Sequence, residues 1–202
     1  MIALIVGNGD VSGEIADKLP KGAYVICADG GYRHMKTLGL RADILIGDMD
    51  SVGEETEPDN VLRYPVRKDF TDGEIAVNYA LEKGFSEIVM VGFVGTRMDH
   101  TLTNIFLLKK IKEQGKSGCV IDAHNEIYCS ADITLGGKKG DIVSIIPVGG
   151  NADGVTTEGL EYPLCGETLE FGKGRGVSNV MTGERCRITV ENGTALIIKS
   201  RD

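Results

Sequence analysis

At 202 residues the chain can hold one large domain or two small ones, and an apolar content of 42% is enough for a packed core. Thirty acidic against 22 basic residues leave a net charge of −8, which argues against nonspecific nucleic-acid binding, since that needs a basic face. The same balance repels an anionic substrate, so a nucleotide would have to arrive as its metal complex. The five cysteines (Cys27, Cys119, Cys129, Cys165, Cys186) are scattered without a Cys-x-x-Cys pair, as expected of free, mostly buried thiols in a reducing compartment. Met1-Ile2-Ala3-Leu4-Ile5-Val6 has no basic flank and reaches Gly7-Asn8-Gly9-Asp10 too soon for a signal peptide. With no apolar stretch of membrane-spanning length, the expectation is a soluble, cytoplasmic protein.

Residues 1–122 alternate short β-branched runs with amphipathic stretches, which predicts βα units and a Rossmann-like, mostly parallel sheet. Strands are expected at Ile2–Val6, Tyr24–Cys27, Ile44–Ile46, Val61–Tyr64, Ile88–Val91 and Cys119–Ile121. Helices are expected at Ser12–Leu19, Gly31–Leu38, Asp72–Lys83 and Thr101–Gln114. In the last of these Leu102, Ile105, Phe106, Leu108 and Ile111 recur at helical spacing.

Over residues 123–202 helical periodicity is absent, and short runs such as Ile142–Ile146, Leu169–Phe171, Cys186–Val190 and Ala195–Lys199 are separated by glycine-rich turns. This predicts a second domain, an antiparallel β-sandwich or partial barrel. Glu191-Asn192-Gly193-Thr194 reads as a type I′ hairpin turn.

The chemistry-bearing segments each follow a strand. In an open α/β sheet the carboxyl ends of parallel strands share one rim, where ligands bind. Gly7-Asn8-Gly9-Asp10-Val11-Ser12-Gly13 opens toward a helix and suits either a phosphate cradle of backbone N–H groups or plain turns. Asp29-Gly30-Gly31 allows close backbone approach of a phosphate, or a turn with Asp29 as helix cap.

Gly47-Asp48-Met49-Asp50-Ser51 places two carboxylates at i and i+2, so on an extended backbone both face one way and a hard divalent cation can bind both. In Lys68-Asp69-Phe70-Thr71-Asp72-Gly73-Glu74 a capping box of Thr71 and Glu74 starts a helix, and Asp72 faces the same rim. After Ile88–Val91 come Gly92, Gly95, Arg97, Asp99 and His100, with Asn104 a turn further on. Arg97 offers a planar fork suited to phosphate oxygens. His100 fits a base or a hydrogen-bonding group, and His124 reads as structural.

Taken in order, these segments resemble the thiamin pyrophosphokinase family. The likeness extends to Gly159-Leu160-Glu161-Tyr162-Pro163-Leu164 and Val177-Ser178-Asn179 in the β-rich part, so it covers nearly the whole chain. It implies a homodimer that moves a pyrophosphoryl group from ATP to the hydroxyethyl oxygen of thiamine, giving thiamine diphosphate and AMP. It maps Mg²⁺ onto Asp48, Asp50 and Asp72, which also carry catalysis, with Asp29 close by. The nucleotide falls to Gly30, Gly31, Arg97, Asp99, His100 and Asn104. Thiamine falls to Asp72, Ser178 and Asn179, in a site formed between subunits.

The chain departs from the family pattern at Thr96, where glycine is common, and at Val180, where many relatives are polar; Tyr162 stands where some have tryptophan. Other readings are a haloacid-dehalogenase-type phosphatase, from Asp48-Met49-Asp50-Ser51-Val52, a pyrophosphokinase for another alcohol such as a pterin, and a non-enzymatic nucleotide sensor.

Overall fold

The computed structural model describes residues 1–47, 60–63 and 69–201. Asp48 and Asp50 of the acidic turn, Tyr64 of the fourth expected strand and Lys68 lie outside the described residues. The chain forms two compact units, Met1–Ala123 and His124–Asp202.

In the first unit the strands are β1 (Ile2–Val6), β2 (Tyr24–Ala28), β3 (Ile44–Gly47), β4 (Val61–Arg63), β5 (Glu87–Val91) and β6 (Ser117–Ile121). They pair in parallel throughout, in the order β6-β5-β1-β2-β3-β4. Their apolar runs are buried almost without alternation, as a sheet covered on both faces requires. The strand order reverses at β1, whose neighbours are β2 and β5. The crevice at such a reversal is where open α/β sheets bind ligands.

Two of the four expected helices form differently. Gly13–Lys18 is a 3-10 segment, since Ser12 caps it through the Glu14 N–H and Pro20 holds Leu19 in an extended conformation. Asp29–His34 is also 3-10, and the α-helix that follows, α1 (Met35–Leu38), ends after one turn at Gly39. The tight winding follows from Gly31, where a Cβ would lie 2.2 Å from the Val6 carbonyl oxygen.

The helix α2 (Asp72–Glu82) begins where expected. Thr71 Oγ1 accepts the Glu74 N–H at 3.1 Å, while the Glu74 carboxylate pairs with Lys110. The third helix, α3 (Met98–Glu113), starts three residues before the expected Thr101, which puts Asp99 and His100 in its first turn. Its buried residues are Thr101, Leu107, Leu108 and Ile111, whereas Leu102 and Phe106 are each 47% exposed. Thr101 sets this phase: its Oγ1 accepts the Gly95 N–H and donates to the Gly95 carbonyl, both at 3.1 Å.

The second unit contains β7 (Asn125–Cys129), β8 (Asp132–Gly136), β9 (Ile142–Pro147), β10 (Ala152–Glu158), β11 (Cys165–Leu169), β12 (Asn179–Val180), β13 (Arg185–Thr189) and β14 (Ala195–Ser200). Two antiparallel layers, β12-β9-β14-β7 and β11-β10-β13-β8, enclose a core that includes Val143, Ile145, Val155, Leu169, Cys186, Ile188 and Ile197. That is a β-sandwich.

The expected hairpin at Asn192-Gly193 is not one. β13 and β14 belong to different layers, so this turn carries the chain from one sheet to the other. Gly193 alone takes a positive φ, of 92°, and a Cβ there would meet the Asn151 carbonyl oxygen at 2.2 Å. Asn192 instead makes a β-bridge to Asp153.

Candidate active site

A cavity of about 330 Å³ opens at the strand-order reversal, lined by the segments that leave β1, β2 and β5 and by the first turns of α2 and α3. It brings together Asp29, Asp72, Arg97, His100 and Asn104 from among the sequence candidates.

The floor is knitted by backbone. Gly7, Gly9 and Asp10 donate their N–H groups to the carbonyls of Val91, Gly92 and Val94 at 2.8, 2.6 and 2.7 Å. Those three donors therefore do not form the phosphate cradle that the glycine spacing admits. Instead they rivet the loop after β1 to the loop after β5, and this fixes the cavity walls.

Asp29 is the most unusual residue of the site. Its φ is +38°, a region that L side chains occupy at a cost of roughly 1 kcal/mol and that aspartate tolerates better than most. It packs against the end of β3, since a Cβ on Gly47 would lie 2.7 Å from its own Cβ. Among the described residues its Oδ1 is buried with no hydrogen-bond partner. A buried carboxylate oxygen left without a hydrogen bond carries a desolvation cost, and here it sits on a residue whose backbone is itself strained.

The neighbouring Cys27 thiol is pushed up to about 12, first by burial and then by the Asp29 charge, so it stays neutral. Asp29 is not the N-cap of its 3-10 segment; Ala28 holds that position. Gly30 and Gly31 are buried, with Gly30 against the Asn8 side chain and Gly31 against Val6, so their contribution is to the turn that presents Asp29.

No group of three or more His, Cys, Asp or Glu residues suited to a metal comes together among the described residues, and Asp48 and Asp50 lie outside them. The donors present do fit a hard cation. Asp29 and Asp72 both line the cavity with carboxylates, the oxygen donors a hard cation prefers, and among the described residues one of the Asp29 oxygens has no hydrogen-bond partner.

Along the wall that follows β5, Arg97 is the N-cap residue of α3. Its fork is closed on Asp99, with Nη2 at 2.6 Å from Oδ2 and Nε at 3.2 Å from Oδ1. Asn104 donates from Nδ2 to the Phe93 carbonyl at 3.0 Å, which ties α3 to the loop. Asn8, Arg33, Phe93 and Thr101 also line the cavity and were not among the sequence candidates. The position of Arg33 on the rim turn after Gly30-Gly31 was a signal for it. Thr101 acts through Gly95, a contact across six residues that spacing does not reveal.

In the second unit Ser178 has a φ of +60°, held by donation of its N–H to Ser144 Oγ at 3.0 Å, and its side chain is exposed. Asn179 is 9% exposed, and its side-chain amide is engaged with the backbone of Tyr162. Tyr162 itself is 64% exposed, with Phe171 and Val177 also at the surface of this unit. Among the described residues no helix is long and apolar enough to cross a membrane.

Residues 16–120 match the family model "Thiamin pyrophosphokinase, catalytic domain", and residues 125–197 match "Thiamin pyrophosphokinase, vitamin B1 binding domain". The chain is 31% identical over 166 residues to the thiamine pyrophosphokinase of Bacillus subtilis (strain 168), covering 77% of each protein. It is 27% identical over 179 residues to thiamin pyrophosphokinase 1 of Caenorhabditis elegans, covering 80% of this chain and 73% of that one. The crystal structure of thiamine pyrophosphokinase from Bacillus subtilis superposes with a TM-score of 0.90 at 26% identity, over all of both chains. That of thiamin pyrophosphokinase from Geobacillus thermodenitrificans gives 0.85 at 25% identity, over 100% of this chain and 98% of that one.

Proposed function

The chain belongs to the thiamin pyrophosphokinase family of enzymes, and from that premise we propose that it transfers a pyrophosphoryl group from ATP to thiamine. The hydroxyethyl oxygen of thiamine attacks the β-phosphorus. The bond from that phosphorus to the oxygen bridging it to the α-phosphate breaks, and AMP leaves with that oxygen. Such a reaction needs alignment and charge neutralisation more than covalent help from the protein. The observation that carries the reading is the meeting of Asp29, one of whose oxygens has no partner among the described residues, and Asp72 with Arg97 in one cavity at the strand-order reversal.

Asp48, Asp50, Asp72 and Asp29 would hold Mg²⁺, which when bound supplies positive charge against the phosphates. Arg97 releases Asp99 and turns its fork to phosphate oxygens. Asp99, His100 and Asn104 complete the nucleotide side, and Gly30 and Gly31 keep the turn under Asp29 tight. A carboxylate among Asp48, Asp50 and Asp72 accepts the proton of the attacking hydroxyl.

On the thiamine side the reading rests on Ser178, whose strained backbone and exposed hydroxyl suit a binding residue, together with Asp72. The Asn179 side chain serves thiamine indirectly, through Tyr162. The β unit of one subunit supplies Ser178, Asn179 and Tyr162 to the α/β unit of its partner, which carries Asp72, so the working form is a homodimer. Among the described residues the five cysteines form no disulfide, in keeping with a cytoplasmic setting.

Incubation with Mg²⁺, ATP and thiamine tests the reading. AMP and thiamine diphosphate should form together in equal amounts. Release of ADP, or of inorganic phosphate alone, would overturn it.

A further inference from the structure

Among the described residues, Arg33 is the cation lining this cavity that the reaction above leaves unused. It belongs to the 3-10 segment after β2 and lines the same cavity as Arg97. Its Nη2 donates to the Asn8 carbonyl at 2.7 Å, which fixes the guanidinium over the loop after β1. That contact orients the charge without neutralising it. Arg33 has no carboxylate partner among the described residues, whereas Arg97 has two N–H groups on Asp99.

The Nε of Arg33 lies 3.2 Å from His34 Nε2, and that same nitrogen lies 2.9 Å from the Gly9 carbonyl oxygen. A neutral imidazole nitrogen either donates or accepts. When His34 donates to Gly9, it no longer takes the Nε–H of Arg33. His34 is held below its ordinary range, chiefly by burial, so it is neutral at neutral pH and Arg33 carries the local positive charge.

Position adds to this. β2 and β5 flank β1, so the segments bearing Arg33 and Arg97 leave the sheet on either side of the loop after β1, roughly 10 Å apart at ordinary strand spacing. We infer that Arg33 is a second phosphate-binding residue of the cavity, taking a non-bridging oxygen of the nucleotide's polyphosphate at the end away from Arg97. The inference rests on the proposal that the cavity takes ATP, and it adds a binding role for a residue outside that scheme.

The test is calorimetric titration, without thiamine, of ATP with Mg²⁺ and separately of adenosine. It compares the parent with R33Q, R33K and R97Q, each at several salt concentrations. R33Q should bind ATP about ten- to a hundredfold more weakly, the loss expected for a charge-assisted hydrogen bond. It should bind adenosine like the parent and show a shallower salt dependence for ATP. R33K, which keeps the charge without the fork, should fall between R33Q and the parent.

Equal weakening of ATP and adenosine by R33Q would mean that Arg33 only pins Asn8, and the inference falls. Unchanged ATP affinity in R33Q alongside a loss in R97Q also overturns it, yet leaves the ATP reading standing. A parent that binds no ATP overturns that reading and this inference together. Arg33 is exposed, so R33Q should fold; if it does not, R33K carries the same comparison.

Discussion

Asn179 grips the Tyr162 peptide from both ends: its Nδ2 donates to the Tyr162 carbonyl at 2.7 Å, and its Oδ1 accepts the Tyr162 N–H at 3.0 Å. The same Oδ1 also takes the Val180 N–H at 2.9 Å. One buried amide, next in sequence to the strained Ser178, thus fixes the backbone that carries an exposed aromatic ring. Asn179→Ala leaves these backbone groups without partners, at a cost of about 2 kcal/mol. Ser178→Ala removes an exposed hydroxyl and should leave stability within about 0.5 kcal/mol of the parent, while raising the KM for thiamine. Urea denaturation and steady-state kinetics of the two variants separate the roles. A Ser178→Ala protein with the parent KM would remove Ser178 from the thiamine side.

The Arg97–Asp99 pair makes a prediction about acid. The Asp99 carboxyl is held down at about 2, first by the Arg97 fork and then by the His100 N–H. A depressed carboxyl stabilises its pair above the ordinary carboxylate value of about 3.9, and the pair is lost only as pH falls through the depressed value. A carbon-detected NMR titration of Asp99 should show a midpoint near 2 in the parent and an upward move in Arg97→Gln. An ordinary midpoint in the parent would mean that the fork is not closed on Asp99 in solution.

A largely buried ion pair lies in the β unit. Lys199 Nζ lies 2.9 Å from Glu126 Oε2, with the two side chains 7% and 17% exposed, and it donates across the sandwich to the Gly136 carbonyl at 2.8 Å. Tyr128 donates its hydroxyl to the same Glu126 oxygen. Removing Glu126 leaves the Lys199 charge with only the Gly136 carbonyl, so Glu126→Gln should destabilise by about 3 kcal/mol, whereas Glu126 without Lys199 still has Arg201 at 3.5 Å. The double variant Glu126→Gln/Lys199→Met should recover part of that loss, because no uncompensated charge remains. Additive losses in the two single variants would show that the pair is not coupled.

The parallel sheet was legible in the sequence because most of its strands are buried apolar runs, such as Ile2–Val6 or Ile88–Val91, ended by glycine or a polar turn. The turn at Gly92–His100 was legible as a rim segment for the same reason. The 3-10 windings at Gly13–Lys18 and Asp29–His34 were not, since they answer to Pro20 and to the close approach of Gly31 on β1. Leu102 and Phe106 show the limit of periodicity. Their spacing is helical, but the face that α3 buries is fixed by the contact of Thr101 with Gly95. Asn192-Gly193 carried a strong hairpin signal, and the turn formed, but its flanking strands pair in different sheets. Pairing is a long-range matter that a local turn does not decide.

Assembly supplies the last prediction. If the β unit of one subunit serves thiamine held by its partner's α/β unit, lesions in the two units should complement each other. One inactive variant is Asp50→Asn, which keeps the side-chain shape and removes a charge proposed to hold Mg²⁺. The other is Tyr162→Ala/Ser178→Ala, which truncates two exposed side chains and leaves the Asn179 grip on the backbone in place. Under subunit exchange with equal, random mixing, half of the dimers are mixed. Each mixed dimer then has one site with both lesions and one with neither. Activity should return to about a quarter of the parent value, as expected for a two-fold assembly with shared sites. If mixed dimers form, as shown by differential tagging, and no activity returns, each site belongs to a single chain and the shared-site proposal fails.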